Sequence, residues 1–464
     1  MTTELAESIP IDQIRNTIFS DYNKKTPSSL LMFNRAKKVL PGGVSGNLRY
    51  FPPYPLYMAG GQGSRSFDLD DNEFIDCFSM NGPLLLGHNH PAQIAALENI
   101  KGRGFLPLNP EVMVECAELI TQIVPCAKRV RFLNTGTEAV MAAVRYARGY
   151  TGKNKIVKFF GHYHGQQDQF LFGMDNTRAV FSDGLPSDAT SSTLANVYGD
   201  VESVAHLLSS DDDIAAVILD PAMHAGGLWG SKKEDLVALK NITQKHGVLL
   251  IFDEVITGFR LALGGAQEYF GVTPDLVTMA KAAGGGEKIA FVAGTADVMN
   301  VVDPEAPAGT PRVFQSGTVN DGAIALAVAT ATLKTYQDLD VKGEYQRLNA
   351  KAQRLKDGIE SAFGKRNIFC QVNHIASMLQ IYIASQTVSF ETCQGLDMSA
   401  VQLFYHALIN EGVLLSLPTS NHIYLSFAHS NEDIDLILEK IDIVLARYDF
   451  ESVCNQLTIK KRLT

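Results

Sequence analysis

The chain has 464 residues, 46% hydrophobic and 19% charged, with a formal net charge of −10 and a mean hydropathy of +0.01. That composition is globular and long enough for more than one domain, and its negative balance argues against nucleic acid or an anionic membrane as partner. Cys77, Cys116, Cys126, Cys370, Cys393 and Cys454 are scattered without a CxxC pair, which argues against a disulfide framework or zinc knuckle and for a reducing, cytoplasmic setting. The N-terminal stretch MTTELAESIPIDQIRNT is acidic and lacks the apolar core of a signal peptide. No uncharged apolar run reaches the ~18 residues of a membrane span.

In chain order, residues 1–28 read as a polar N-terminal arm. RSFDLDDNEFIDCF reads as a hairpin turning at Asp70, Asp71 and Asn72. Short β-branched runs then alternate with helical stretches: RVRFL before TEAVMAAVRYARGY, then KIVKFF, IAAVIL before KEDLVALKNITQKHG, VLLIF, LVTMA and IAFVAG. Near-continuous apolar strands separated by helices predict a buried, mostly parallel mixed sheet flanked by helices. The segments ASMLQIYIA, GVLLSL and HIYLSFAHS predict a smaller α+β domain. The expected organisation is an N-terminal arm and small-domain segment (1–84), a large domain (85–335) and a C-terminal small domain (336–464).

The residues just after each strand are more informative than the strands themselves. RVRFL leads into Asn134, Thr135, Gly136, Thr137 and Glu138. KIVKFF leads into Gly161, His162, Tyr163, His164 and Gly165. IAAVIL ends on Asp220, VLLIF on Asp253 and Glu254, and LVTMA on Lys281 before a run of glycines. Ligands of open α/β sheets bind outside the carboxyl ends of the strands. Each of these ends has an ordinary explanation by itself, but together they describe a site.

NTGTEAVMAAV places small residues at a helix start, where exposed N–H groups and the positive dipole end favour an anion; a plain N-cap with Glu138 in the first turn reads equally well. Asp253, ending a buried strand, needs a cationic or hydrogen-bonding partner, and a protonated pyridine nitrogen would serve. Tyr163 offers a flat face, and Lys281 an amine able to form a Schiff base. An anion cradle, a carboxylate for a ring nitrogen, an aromatic face and a lysine are the protein parts that pyridoxal 5'-phosphate (PLP) requires. The competing reading is a metal-dependent hydrolase using the HxH pairs of GHNH and HYHGQQD, with His162, His164 and Asp168 as ligands. Lys288, after AGGGE, fails the P-loop pattern because Ile289 follows it.

DEVITGFR, followed by PDLVTMAKAAGGG with Lys281 28 residues after Asp253, resembles the subgroup III aminotransferases. PGGVSGNLRYF, NGPLLLGHNHP, VRFLNTGTEAVMAAVRYARGYTGKNKIVKFFGHYHG and SGT (316–318) are most similar to the glutamate-1-semialdehyde aminomutase branch. The resemblance implies PLP-dependent transferase fold type I and a homodimer with its sites at the subunit interface. It implies that Lys281 is the Schiff-base lysine, that Asp253 pairs with the pyridine nitrogen, that Val255 packs behind the ring and that Tyr163 stacks in front. It further assigns Thr135, Gly136 and Thr137 to the phosphate, with Thr318 from the neighbouring chain, and Arg49 to a substrate carboxylate. The chain departs from that branch where a tryptophan usually precedes GP (Asn81 here), at DPAMHAG, at GTVNDGA and near the C-terminus. These departures spare the cofactor parts and alter the substrate side. The expected activity is therefore transamination between an amino donor and an oxo acceptor, with 2,1-aminomutation or epimerisation as the alternative.

Overall fold

Strands form where the sequence runs apolar and β-branched between turn residues. The computed structural model describes residues 11–103, 108–175, 177–393 and 396–454; the first ten residues of the expected N-terminal arm lie outside the described residues. In chain order the strands are β1 (Met58–Gln62), β2 (Arg65–Asp68), β3 (Glu73–Asp76), β4 (Arg129–Leu133), β5 (Lys155–Phe159), β6 (Thr193–Asn196) and β7 (Ile214–Leu219). They continue with β8 (Leu249–Glu254), β9 (Leu276–Met279), β10 (Ala290–Gly294), β11 (Cys370–Ile375), β12 (Met378–Ile383), β13 (Val413–Leu414) and β14 (His422–Tyr424). The chain divides into two units: Met1–Asn81, Leu85–His90 and Gln346–Thr464 form one, and Gly82–Leu84 with Pro91–Tyr345 form the other.

The larger unit is built on one sheet of order β4-β10-β9-β8-β7-β5-β6. Strands β6, β5, β7, β8 and β9 run parallel. β10 is antiparallel to both β9 and β4, so β4 points the same way as the parallel set. Every residue of β7, β8, β9 and β10 is buried, which is why these strands read as continuous apolar runs rather than as alternation. The helix Gly136–Thr151 buries Ala139, Val140, Ala143, Val144 and Ala147 and packs against β9 and β10. Its small alanines allow close approach to the sheet, and each fully buried aliphatic side chain in this core contributes about 1.5–3 kcal/mol. A capping box of Thr135 and Glu138 starts this helix, and Gly152, left-handed at φ 70°, ends it.

The smaller unit draws on both halves of the chain. β2 and β3 form the expected antiparallel hairpin. Its turn is held by Asp68 Oδ1, which accepts the N–H groups of Asp70 and Asn72 at 2.9 Å each. β1 pairs with β2, and β13 joins β3 in parallel, while β11-β12-β14 form a second, antiparallel sheet. Tyr22, Phe33, Phe51, Tyr54 and Phe74 make an aromatic core with Ile409 and Leu414. Among the described residues, no helix is long and apolar enough to cross a membrane.

Candidate active site

Because β4, β5, β7, β8 and β9 point one way, their carboxyl ends share one edge of the sheet. That edge carries Thr135, Tyr163, Asp220, Asp253 and Lys281. The backbone there is strained: Met223 (φ 37°) and Leu228 (φ 60°) come after β7, Phe259 (φ 60°) after β8 and Lys281 (φ 46°) after β9. Non-glycine residues in the left-handed region cost about 1–3 kcal/mol each and concentrate at functional sites.

Asp253 is buried in a ring of donors. Thr278, its register partner on β9, donates its hydroxyl to Oδ1 at 3.1 Å. The Val255 N–H reaches the same oxygen at 3.2 Å. His164 Nδ1 lies 2.8 Å from Oδ2. Burial pushes the Asp253 pKa up to about 6 against these hydrogen bonds and the charge of Lys281. Asp220 is buried as well and pushed up to about 7, although its oxygens accept the N–H groups of Ala222 and His224 at 3.0 and 2.9 Å. Lys281, half-buried, moves the other way: burial lowers its pKa to about 8, while Asp253 and Asp220 favour the charged form. Two raised carboxylates and a lowered amine, grouped at one sheet edge, form a cluster in which proton transfer near neutrality is chemically feasible.

The loops are knitted together by close approaches. A side chain on Gly136 would meet Val255 Cγ1 at 2.7 Å, and one on Gly165 would meet Thr137 Oγ1 at 2.8 Å. The ends of β4, β5 and β8 are therefore in mutual contact. Thr135 Oγ1 accepts the Glu138 N–H at 3.2 Å, and Glu138 Oε2 accepts the Thr135 N–H at 2.8 Å. The Thr135 hydroxyl thus serves the helix cap, whereas the first-turn N–H groups of Gly136 and Thr137 have no intrahelical acceptor. Tyr163 is 45% exposed, and its pKa is raised by burial and the charge of Asp253. Behind Lys281, Gly285 is left-handed at φ 56° and Gln93 Nε2 donates to its carbonyl at 3.0 Å. A side chain at Gly285 would collide with Gln93 and Thr332, so the glycine run lets the buried helices approach the turn that presents the lysine.

Other residues singled out from the sequence lie elsewhere. Arg49 ends the short turn Asn47–Arg49 in the smaller unit and is exposed. Thr318 is exposed, in a segment tied down where Asn134 Nδ2 donates to Asn320 Oδ1 at 2.9 Å. Lys288 is exposed. The histidines of HYHGQQD do not converge on a common point. His162 Nε2 lies 3.0 Å from the Asp220 carbonyl, His164 turns to Asp253, and the rings stack at 5.7 Å. Among the described residues, no group of three or more His, Cys, Asp or Glu is placed to hold a metal ion.

Three contributors carry little or no signal in the sequence. His164 reads there only as a metal ligand, yet it is a partner of Asp253. Thr278 has a faint signal, as the one polar residue of LVTMA. Arg260, the last residue of DEVITGFR, is buried at 1% exposure, donates to the Gly82 carbonyl at 2.6 Å and helps lower the Lys281 pKa by its charge; nothing local to it in the sequence points to that partner.

The set suits pyridoxal phosphate. A carboxylate offers about four acceptor positions, and three donors occupy Asp253, leaving room for a cationic ring nitrogen. Tyr163 presents an open ring face, Lys281 an amine, and Gly136 with Thr137 N–H groups for a phosphate.

Comparisons with known proteins agree. The family model described as aminotransferase class-III matches residues 50–445. Glutamate-1-semialdehyde 2,1-aminomutase 2 of Brevibacillus brevis is 38% identical over 421 residues, covering 89% of this chain and 96% of that protein. Among solved structures, an omega-transaminase from Sphaerobacter thermophilus matches with a TM-score of 0.84 and 30% identity, over 90% of this chain and 97% of that one. A transaminase with PLP bound matches at 0.83 and 29% identity, over 91% and 98%. The chain belongs to the class III aminotransferase family, an enzyme of PLP-dependent transferase fold type I with a large mixed sheet flanked by helices, and pyridoxal 5'-phosphate is its cofactor.

Proposed function

We propose that the chain relocates an amino group on a carboxylate-bearing substrate, with Lys281 as the catalytic amine. The observation that carries this reading is the lowered amine of Lys281 beside Asp253 and Asp220 at the ends of adjacent strands. Bound there, PLP supplies a reactive aldehyde and an electron sink for the carbon that loses a proton. Lys281 Nζ would hold the cofactor, and the same amine would take a proton from, and return one to, the substrate carbon that bears the amino group. Asp253 keeps a negative charge against the ring nitrogen. Val255 would pack behind the ring and Tyr163 would cover its open face. The Gly136 and Thr137 N–H groups and the Thr135 turn hold the phosphate, joined by Thr318 of a second copy in a homodimer. Arg49 receives the substrate carboxylate as a planar fork. The free cysteines fit a reducing cytoplasm.

Two readings of the finer chemistry are separable. The aminomutase relatives support an amino shift within one molecule, glutamate-1-semialdehyde to 5-aminolevulinate, better than they support the transamination expected from the sequence, and we take that shift as the first reading. Transamination keeps one specific support, the reshaped substrate side. Asn81 stands where the aminomutase branch has tryptophan, and its Oδ1 accepts the Tyr424 hydroxyl at 2.9 Å. The test supplies PLP-loaded protein with glutamate-1-semialdehyde alone. Appearance of 5-aminolevulinate without a second oxo acid supports the shift. Its absence, with amino transfer from an amino acid panel to 2-oxoglutarate or pyruvate, establishes transamination. Failure of both sinks the proposal.

A further inference from the structure

Behind Asp253 lies a buried set of side chains that the amino-transfer reading does not use. His164 is fully buried. Its Nδ1 is 2.8 Å from Asp253 Oδ2, and its Nε2 has no hydrogen-bond partner among the described residues. His162 stacks on it, with ring centroids 5.7 Å apart and planes 16° from parallel. A neutral His162 has one N–H to donate, and the shorter contact, from Nε2 to the Asp220 carbonyl at 3.0 Å, takes it, while Nδ1 lies 3.4 Å from the Phe160 carbonyl. Phe170 covers His164 edge-on at 5.5 Å. Lys158, fully buried on β5, donates to the Phe172 and Phe170 carbonyls at 2.7 and 3.4 Å and lies 5.1 Å over the Phe172 ring.

This arrangement decides where the His164 proton sits. An ionised carboxylate only accepts, so the proton in the short contact belongs to Nδ1. A second proton on Nε2 would be a buried donor without an acceptor, carrying its full desolvation penalty. Lys158, whose own pKa burial lowers to about 7, opposes a further positive charge nearby wherever it is itself protonated. Burial and Lys158 accordingly hold the His164 pKa well below the ordinary histidine value, and burial with the neighbouring His164 lowers His162 to about 3. The difference matters to the cofactor. An imidazolium would form its own ion pair with Asp253 and compete with the ring nitrogen. A neutral donor stabilises the carboxylate and leaves its whole charge available.

We propose that His164 is a positioning residue for the cofactor: set as the neutral Nδ1–H tautomer by the Asp253 acceptor on one side and the buried, acceptor-free surroundings of Nε2 on the other, and held in orientation by the His162 stack, it donates one hydrogen bond to Asp253 and keeps that carboxylate charged toward the ring nitrogen. The inference rests on Asp253 being the ring-nitrogen partner. Two measurements test it. In full-length apo protein labelled with 15N-histidine, the signal that disappears in His164→Asn should show a protonated Nδ1 and a bare Nε2 from about pH 7 to 9, above the Asp253 pKa of about 6. An imidazolium or an Nε2–H tautomer would overturn the proposal. Equilibrium PLP binding should weaken about ten- to a hundredfold in His164→Leu, the scale of losing a hydrogen bond to a charged group. His164→Asn, whose amide N–H replaces Nδ1–H, should recover most of it. Unchanged affinity in a folded His164→Leu protein also overturns it. If that variant does not fold, the wild-type tautomer and the asparagine variant decide. If wild-type protein fails to bind PLP, the cofactor assignment falls instead, and the apo spectrum still judges the tautomer.

Discussion

At the residue scale, Lys281 answers two opposed demands. Burial favours the neutral amine that attacks an aldehyde, the charges of Asp253 and Asp220 favour the ammonium, and the balance leaves a pKa lowered to about 8. The neutral fraction rises as pH passes upward through that value, so covalent capture of PLP, monitored by absorbance, should accelerate between about pH 7 and 9. The same shift has a stability consequence. Between the folded pKa of about 8 and the ordinary lysine value of 10.5, the unfolded chain binds more protons, so stability of the apo protein rises with pH there. Lys281→Met should flatten that rise. Lys281→Ala should lose turnover and the borohydride-fixed pyridoxyl label while staying folded, and Lys288→Ala should keep both. A label found on the Lys288 peptide would sink the assignment.

At the scale of elements, the start of the helix Gly136–Thr151 does two jobs in three residues. Thr135 closes the capping box, so Thr135→Ala should cost about 1 kcal/mol of stability, read from urea denaturation. Gly136 is where the helix touches the strand-end loop after β8. An added methyl would stand 2.7 Å from Val255 Cγ1, and Gly136→Ala should destabilise by about 1–3 kcal/mol through overpacking. Trimming the obstacle in Gly136→Ala/Val255→Ala should return part of that loss. If Gly136→Ala is as stable as the wild type, the close approach has been misjudged.

At the scale of the whole molecule, the proposed homodimer and the substrate carboxylate make separate predictions. Thr318 is exposed in its own chain, as a residue reaching a neighbour's phosphate should be. Thr318→Ala should weaken PLP binding without dissociating the dimer in sedimentation; full PLP affinity in a stable monomer would refute the shared site. Arg49→Ala removes a charged bidentate partner, at a cost on the order of 2–5 kcal/mol in kcat/KM. A carboxylate-free analogue should be turned over equally by both proteins, whereas an equal loss on both substrates would place Arg49 outside substrate binding.

The strand ends and the groups they carry are legible in the order of amino acids. Apolar runs such as IAAVIL and VLLIF announce strands buried on both faces, and the residues after them announce Asp220, Asp253 and Lys281, because burial pattern and turn chemistry are local properties. The hairpin at Asp70–Asn72 and the Thr135–Glu138 cap are legible for the same reason. Which distant segments meet is a matter of packing, and no local pattern carries it. β13 joins β3 by pairing Val413 with Ile75, making one unit from both ends of the chain, and β10 runs against its neighbours between β4 and β9. The surroundings of Asp253 are settled in the same way: Thr278 lies across a strand register, and His164 reaches it from the loop after β5. Periodicity says which face of an element is buried, but not which element will cover it. A buried carboxylate announces that it needs partners, and only packing in three dimensions supplies them.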